Sequence, residues 1–274
     1  MRAIPLIAGA ALVLSACGGE PSEGDLLALT YNIAGLPEGI SKSHPEANTT
    51  RIGLRINAYD LVLVQEDFSY HHLLDPVAGH PYRSTPLMEF ETFVNDGLNR
   101  FSNFPLGELY RERWPSCFGT LDNSSDCLSS KGWSYAQVWL TDTVAVDVYN
   151  HHAEAGGGPE DDAARLEGYQ RLAAAIEERS AGRAVIVGGD TNLELDDPDE
   201  APTLQAFLQD AGLTDACTSL ACPEDHIDRF MFRSGGGLTL EATDWAVAEE
   251  FVDDAGQPLS DHEAVRVRFR WQRD

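Results

Sequence analysis

Eight polar residues of this chain are of types that suit phosphate or metal chemistry: Asn32, Glu66, His152, Asp190, Asn192, Asp228, Asp261 and His262. Most of them close an apolar run or lie in a short one, where a rigid strand hands over to a loop that can carry chemistry. Carboxylate and amide oxygens suit a hard divalent cation, Mg2+ or Mn2+, rather than zinc. Imidazoles beside them can move protons near neutral pH. If the strand ends converge, the set forms one oxygen-rich cation site flanked by histidines. Each residue also has a plainer reading. Asn32 precedes a Gly35/Pro37 loop, and Gly-Asp-x-Asn is ordinary turn chemistry. Asp261-His262 suits a loop before the last strand.

The elements that must position these groups are legible as hydrophobic periodicity. Residues 26–31, 61–64 and 184–187 are short apolar runs bounded by turn residues, the pattern of buried strands. Residues 135–140 and 144–149 alternate as a strand pair, and 227–232, 238–248 and 264–271 are further strands. Residues 48–59 carry Ile52, Ile56 and Tyr59 at helical spacing with Asn48 as cap. Residues 160–179 predict an amphipathic helix with Leu166, Tyr169, Leu172 and Ile176 on one face, and 203–211 a short one. Two sheets packed face to face and flanked by helices bury all of these runs.

The chain of 274 residues holds 19 Lys+Arg against 45 Asp+Glu, a formal charge of −26, and 43% apolar residues. That apolar content supports a real core and excludes a disordered tail. The charge disfavours duplex nucleic acid and anionic membrane surfaces as partners of the bulk surface, since phosphate contacts dominate such affinities. Lys42 and Lys131 are the only lysines. Lys131 suits a phosphate contact as well as a plain surface charge. The acidic run 194–200 predicts a solvated loop before the next helix.

Residues 1–16 have the form of a secretory signal: Arg2, a twelve-residue apolar stretch over 3–14, then Leu14-Ser15-Ala16-Cys17. Cys17 at the first mature position resembles the bacterial lipoprotein box and would be lipidated there. Export to a bacterial membrane, facing the periplasm or the cell exterior, with the outer membrane favoured, is the corresponding expectation. Residues 17–24 then form the lipidated Cys and a flexible tether, and 25–274 a single domain. Cys117, Cys127, Cys217 and Cys222 are even in number, which in an exported protein suggests disulfides with three possible pairings. Proximity favours Cys117–Cys127 and Cys217–Cys222.

The order of the segments resembles the endonuclease/exonuclease/phosphatase superfamily, the DNase I-like fold, over roughly residues 26–271. The matching motifs are Leu29-Thr30-Tyr31-Asn32, Gln65-Glu66, Asn150-His151-His152, Gly189-Asp190-Thr191-Asn192, Ile227-Asp228-Arg229 and Ser260-Asp261-His262. Lys131-Gly132 before a Trp-containing strand, and Ser102-Asn103-Phe104-Pro105, resemble the neutral sphingomyelinase-like branch, with Asn103 where that branch carries a basic residue. The resemblance implies a four-layered α/β sandwich that hydrolyses a phosphodiester or phosphomonoester with Mg2+ or Mn2+. Carried over residue by residue, it implies Glu66, Asn32 and Asp261 at the metal. It implies Asp190 and Asn192 at the scissile phosphorus, His152 on the phosphoryl charge or as general acid, and a His262–Asp228 dyad. The general base is His262 or Asp190. His151 points away from the site if its strand stays regular, though the reverse assignment of the two histidines stays open. His44, His71, His72 and His80 are read as surface or packing residues, and His226 is given no role. The substrate is a phosphoester, with a phospholipid head group as one candidate. A secreted DNase-like endonuclease and a non-catalytic lipoprotein binding module on the same fold are the alternatives.

Overall fold

The computed structural model describes residues 20–87, 94–119, 126–223 and 225–274. The signal segment and Cys17 lie outside the described residues. The described residues form twelve strands: β1 (Glu23–Asn32), β2 (Leu61–Gln65), β3 (Tyr82–Arg83), β4 (Asn99–Ser102), β5 (Tyr110–Arg113), β6 (Gly132–Trp139), β7 (Ala145–His152), β8 (Val185–Asp190), β9 (Thr214–Asp215), β10 (Asp228–Arg233), β11 (Leu238–Val247) and β12 (Val265–Arg273). The α-helices are α1 (Pro45–Arg55), α2 (His71–Leu74), α3 (Pro159–Ser180), α4 (Ala201–Asp210) and α5 (Ala216–Ser219). The strands form two mixed six-stranded sheets, ordered β11-β12-β1-β2-β4-β3 and β5-β6-β7-β8-β10-β9.

Strand alternation sorts the apolar side chains into three layers of core. Leu26, Ala28, Leu61 and Leu63 from the first sheet meet Val146, Val148, Ile186 and Phe230 from the second, which fills the space between the sheets. The opposite faces hold the other two cores. Leu29, Tyr31, Val62 and Val64 pack with Ile52, Ile56 and Leu74 from the α1 and α2 region. Tyr149, Val185, Val187 and Met231 pack with Tyr169, Leu172, Ile176, Leu204 and Phe207 from α3 and α4. Helix, sheet, sheet, helix is the four-layered α/β sandwich expected from the sequence.

This topology gathers the site at one end. β1 runs parallel to β2, and β7 runs parallel to β8. β10 is antiparallel to β8, with Asp228 opposite Asp190, so the start of β10 meets the end of β8. β12 is antiparallel to β1, with Val265 opposite Thr30, so the loop before β12 arrives beside the end of β1. Parity then does the aiming. Asn32 continues the inward series Leu26, Ala28, Thr30; His152 continues Val146, Val148; Asp190 continues Ile186, Gly188; Asp228 begins the series of Phe230.

Several local expectations are corrected. The first helix starts at Pro45 after a left-handed His44, not at Asn48. Asn48 instead lies inside the helix and donates to the carbonyls of Ser43 and Leu259, which pins the 259–262 loop. Leu166 is 41% exposed, while Arg165 takes the buried place beside Tyr169. Residues 23 and 24, expected to lie in the tether, instead open β1, where Glu23 and Gly24 pair with Gln272 and Trp271. Both proposed disulfides are formed, Cys117–Cys127 and Cys217–Cys222.

Candidate active site

Asn32, fully buried, is the centre of the polar cluster. Its Nδ2 donates to Glu66 Oε1 at 3.2 Å and to Asp190 Oδ2 at 3.1 Å, so one amide bridges carboxylates from the two sheets. Its Oδ1 accepts from the Ala34 backbone N–H, and its carbonyl accepts from Ser260 Oγ at 2.7 Å. Strand parity alone would send Glu66 to the outer face, like Val62 and Val64. A left-handed backbone at Glu66, φ 54°, turns it back into the site. Gly97 makes that possible: a Cβ there would stand 2.8 Å from the Glu66 backbone N.

On the second sheet, Asp190 Oδ1 accepts from the Asn192 backbone N–H at 3.0 Å, with Asn192 itself left-handed. Asn192 Nδ2 donates to the Ala153 carbonyl, so its side chain is committed to the backbone beside the site. His152 Nε2 lies 3.3 Å from Asp190 Oδ2 and 3.9 Å from Glu66 Oε1. Burial, with the charges of Lys131 and His262 adding to it, drives the His152 pKa well down, which favours the neutral imidazole, and its Nδ1 is buried with no hydrogen-bond partner among the described residues. His151 faces the other way, with Nδ1 at 3.1 Å from the Gly188 carbonyl and Nε2 at 3.4 Å from the Tyr169 hydroxyl. Burial lowers its pKa to about 4.

The dyad spans the sheets as well. His262, in the loop before β12, places Nδ1 2.8 Å from Asp228 Oδ2. Its Nε2 lies 3.8 Å from Asp190 Oδ2. Burial alone would lower the His262 pKa, but the bond to Asp228 and the charges of Asp228 and Asp190 outweigh it and raise it to about 10. Burial raises the Asp228 carboxyl, against the opposing bond from His262. Asp261 stands apart: it is exposed at the rim and accepts a 3.4 Å bond from the Ser260 hydroxyl.

One ligand atom each from Asp190, Asp228 and His262 lies within 4.8 Å of the other two. Burial raises the Glu66 pKa, opposed by Lys131 and the Asn32 bond, so its ionised form lacks full compensation. Asp228 Oδ1 is buried with no hydrogen-bond partner among the described residues. Under-compensated carboxylates beside an amide are a donor set that fits a hard divalent cation, with Glu66, Asn32 and Asp190 as the residues that would hold it.

Beneath these groups, Gln65 Nε2 donates to Asn150 Oδ1 at 2.7 Å, and Asn150 Nδ2 donates to the carbonyls of Val64 and Asn99. Lys131 is almost buried and donates to the Ala153 carbonyl at 3.2 Å. Its charge reaches both Glu66 and His152, so it belongs to the site's electrostatics. Asn103 is at the opposite end, next to the start of β2, donating to Asp60. Sequence reasoning missed the support behind Glu66: buried Asp67 accepts from Asn99 Nδ2 at 2.8 Å and pairs with His71 Nδ1 at 2.6 Å. The four-residue spacing of Asp67 and His71 was the available signal.

No family model matches the chain. A sphingomyelinase of Mycobacterium tuberculosis is 37% identical over an alignment of 283 residues that takes in 94% of this chain. The chain spans 56% of that relative's length. A double mutant of Staphylococcus aureus beta toxin, solved with bound magnesium ions, aligns with a TM-score of 0.66 at 17% identity, covering 89% of this chain and 99% of that one. An endonuclease/exonuclease/phosphatase from Beutenbergia cavernae aligns with a TM-score of 0.64 at 17% identity, covering 90% of this chain and 71% of its own. By sequence the chain is thus similar to the mycobacterial sphingomyelinases over 94% of its length, and its two packed sheets flanked by helices have the DNase I-like fold of these solved structures.

Proposed function

We propose that the chain is a divalent-cation-dependent phosphodiesterase that hydrolyses a P–O bond of a phospholipid head group by in-line attack of water. The observation that carries this reading is the junction at Asp190. Its carboxylate is shared between the Asn32–Glu66 cluster and the two imidazoles of His152 and His262, 3.3 and 3.8 Å away. Oxygen ligands and a proton-handling dyad therefore face the same small volume.

Mg2+ held by Glu66, Asn32 and Asp190 would supply Lewis-acid neutralisation of charge on the phosphate. The protein groups do the rest. Asp228 fixes the His262 tautomer by accepting from Nδ1, which leaves Nε2 turned toward Asp190. Once it has lost its proton, Nε2 takes one from the attacking water. The Asn32 amide donates to Asp190 Oδ2 and holds that carboxylate in place, with His152 Nε2 beside it at 3.3 Å. Asn192 anchors the loop that presents it. The sphingomyelinase name of the relatives, and the magnesium in the beta toxin structure, support the substrate class and the metal.

We also propose that residues 1–16 direct export and that Cys17 carries a lipid, which would hold this site at a bacterial membrane. The test of the function is direct. Purified protein should hydrolyse bis-p-nitrophenyl phosphate with Mg2+ and stop on addition of EDTA. Turnover that is absent, or indifferent to EDTA, overturns the reading.

A further inference from the structure

His262 is carried on a long connection. Residues 248–264 join β11 to β12, antiparallel neighbours whose ladder reaches Val247 opposite Val265. A hairpin turn of about 2–5 residues could join such strands. Here the chain runs out and back as a loop, stitched by a bond from the Leu259 N–H to the Phe251 carbonyl and by a bridge between Val252 and Pro258. A reacting group displaced by about 1 Å loses rate steeply, so a base on such a loop needs support from outside it.

The support comes from α1. This helix adds no side chain to the polar cluster around Asn32, yet it grips the connection on the way out and on the way back. Outbound, Arg55 donates through Nε to the Glu250 carbonyl and through Nη2 to the Val252 carbonyl, both at 2.6 Å. Tyr59, just past the helix, donates its hydroxyl to Glu250 Oε1, and buried Phe251 packs on the Tyr31 ring at 4.8 Å between centroids. On the return, Asn48 Nδ2 donates to the Leu259 carbonyl at 3.2 Å and to the Ser43 carbonyl at 2.8 Å. The next residue carries the support to the base: Ser260 Oγ donates to the Asn32 carbonyl and accepts from the His262 N–H at 3.3 Å. The backbone leading to His262 is thus held by α1 on one side and by the end of β1 on the other.

Asn48 is a poor choice for its own helix. It lies on the buried face of α1 with Thr49 and Ile52. Asparagine is a weak helix former, and an apolar residue there would bury no polar group. Its amide meets a need of the neighbouring loops rather than of the helix.

We infer that Asn48 and Arg55 are positioning residues for the reaction: α1 holds the 248–264 connection in the arrangement that brings His262 Nδ1 to Asp228. This rests on the reading of His262 as general base in the proposed function.

The test is a double-mutant cycle on Mg2+-dependent hydrolysis of bis-p-nitrophenyl phosphate by the full chain. Asn48→Leu should lower kcat by about 10-fold or more, the scale of a small misplacement of a reacting group, and leave KM and the half-saturating Mg2+ concentration at their wild-type values. Arg55→Lys, which cannot reach both carbonyls with a planar fork, should lower kcat several-fold in the same way. Arg55 is only half-buried, so this variant reports even if Asn48→Leu fails to fold. Each loss should vanish when the substitution is made in His262→Ala, because it acts through that imidazole. A residue that serves folding alone would lower the residual rate of His262→Ala by the same factor. That result, a wild-type kcat in either folded variant, or a change in KM or in Mg2+ dependence in place of kcat overturns the positioning role alone. A wild-type rate in His262→Ala overturns the base assignment, and no hydrolysis by the wild type overturns the phosphodiesterase reading; either takes the inference with it.

Discussion

His262 and Asp228 form a 2.8 Å pair although they belong to different sheets, His262 to the loop that leads into β12 and Asp228 to the first position of β10. The pair exists only when the sandwich is closed. Its positive partner is held protonated by its negative one, which has a consequence for pH. A base with a raised pKa must first be deprotonated, so kcat/KM should climb with pH on the alkaline side. Asp228→Asn removes the charge that raises His262, so its limb should move to lower pH while the plateau falls by ~100-fold. A pH–rate profile of both proteins checks this. A limb that does not move in Asp228→Asn would transfer the base role to Asp190.

Glu66 predicts a stability effect of opposite sign to the usual loss on mutation. Burial raises its carboxyl pKa, so the folded state resists its ionisation. Stability from this residue is therefore lost as pH rises above the ordinary carboxylate pKa. Without metal at neutral pH, Glu66→Gln should melt higher than the wild type by about 2–4 °C, the shift for roughly 1 kcal/mol in a domain of this size. The difference should vanish in acid. Added Mg2+ should raise the wild-type Tm and leave Glu66→Gln nearly unmoved. Differential scanning fluorimetry across pH and Mg2+ reads all three.

Gly97, at φ +64°, supports the left-handed turn at Glu66 by close backbone approach. Gly97→Ala would press its methyl on Glu66 and on the Phe68 ring, where the gap is 2.6 Å. It should cost about 1–3 kcal/mol of stability as strain and overpacking. It should also weaken Mg2+ activation, seen as a higher Mg2+ concentration for half-maximal rate. A variant with unchanged metal dependence would show that Glu66 does not need this support.

The Cys117–Cys127 disulfide closes a separation of 10 residues. Its removal by Cys117→Ser with Cys127→Ser should lower unfolding free energy by about 2–3 kcal/mol, measured by urea titration under oxidising conditions.

How much of this was legible beforehand depended on whether side chains or backbone carried the information. The layers and the ends of β1, β2, β7, β8 and β10 followed from apolar runs that stop at polar residues, because burial and alternation are written in residue types. The same period of two pointed to His152 inward and His151 outward but left the reverse assignment open, and the structure turns His152 inward. Glu66 did not follow from it, since a left-handed turn at a non-glycine leaves no mark of its own, and Gly97 lies thirty-one residues away. The start of β1 at Glu23 was invisible because backbone pairing with β12 can order polar residues that have nothing to bury. Asn103 showed the limit of motif matching, for its segment is present but stands at the far end of the molecule from the dyad.

The central claim is that groups from two sheets act as one catalytic centre. It is tested most directly by measuring Mg2+-dependent hydrolysis of bis-p-nitrophenyl phosphate by the wild type, Glu66→Gln and His262→Ala side by side. The account predicts that each substitution, made on a different side of the Asp190 junction, lowers kcat by at least ~100-fold, the scale of a lost base or electrostatic contact. A wild-type rate in either variant would contradict it.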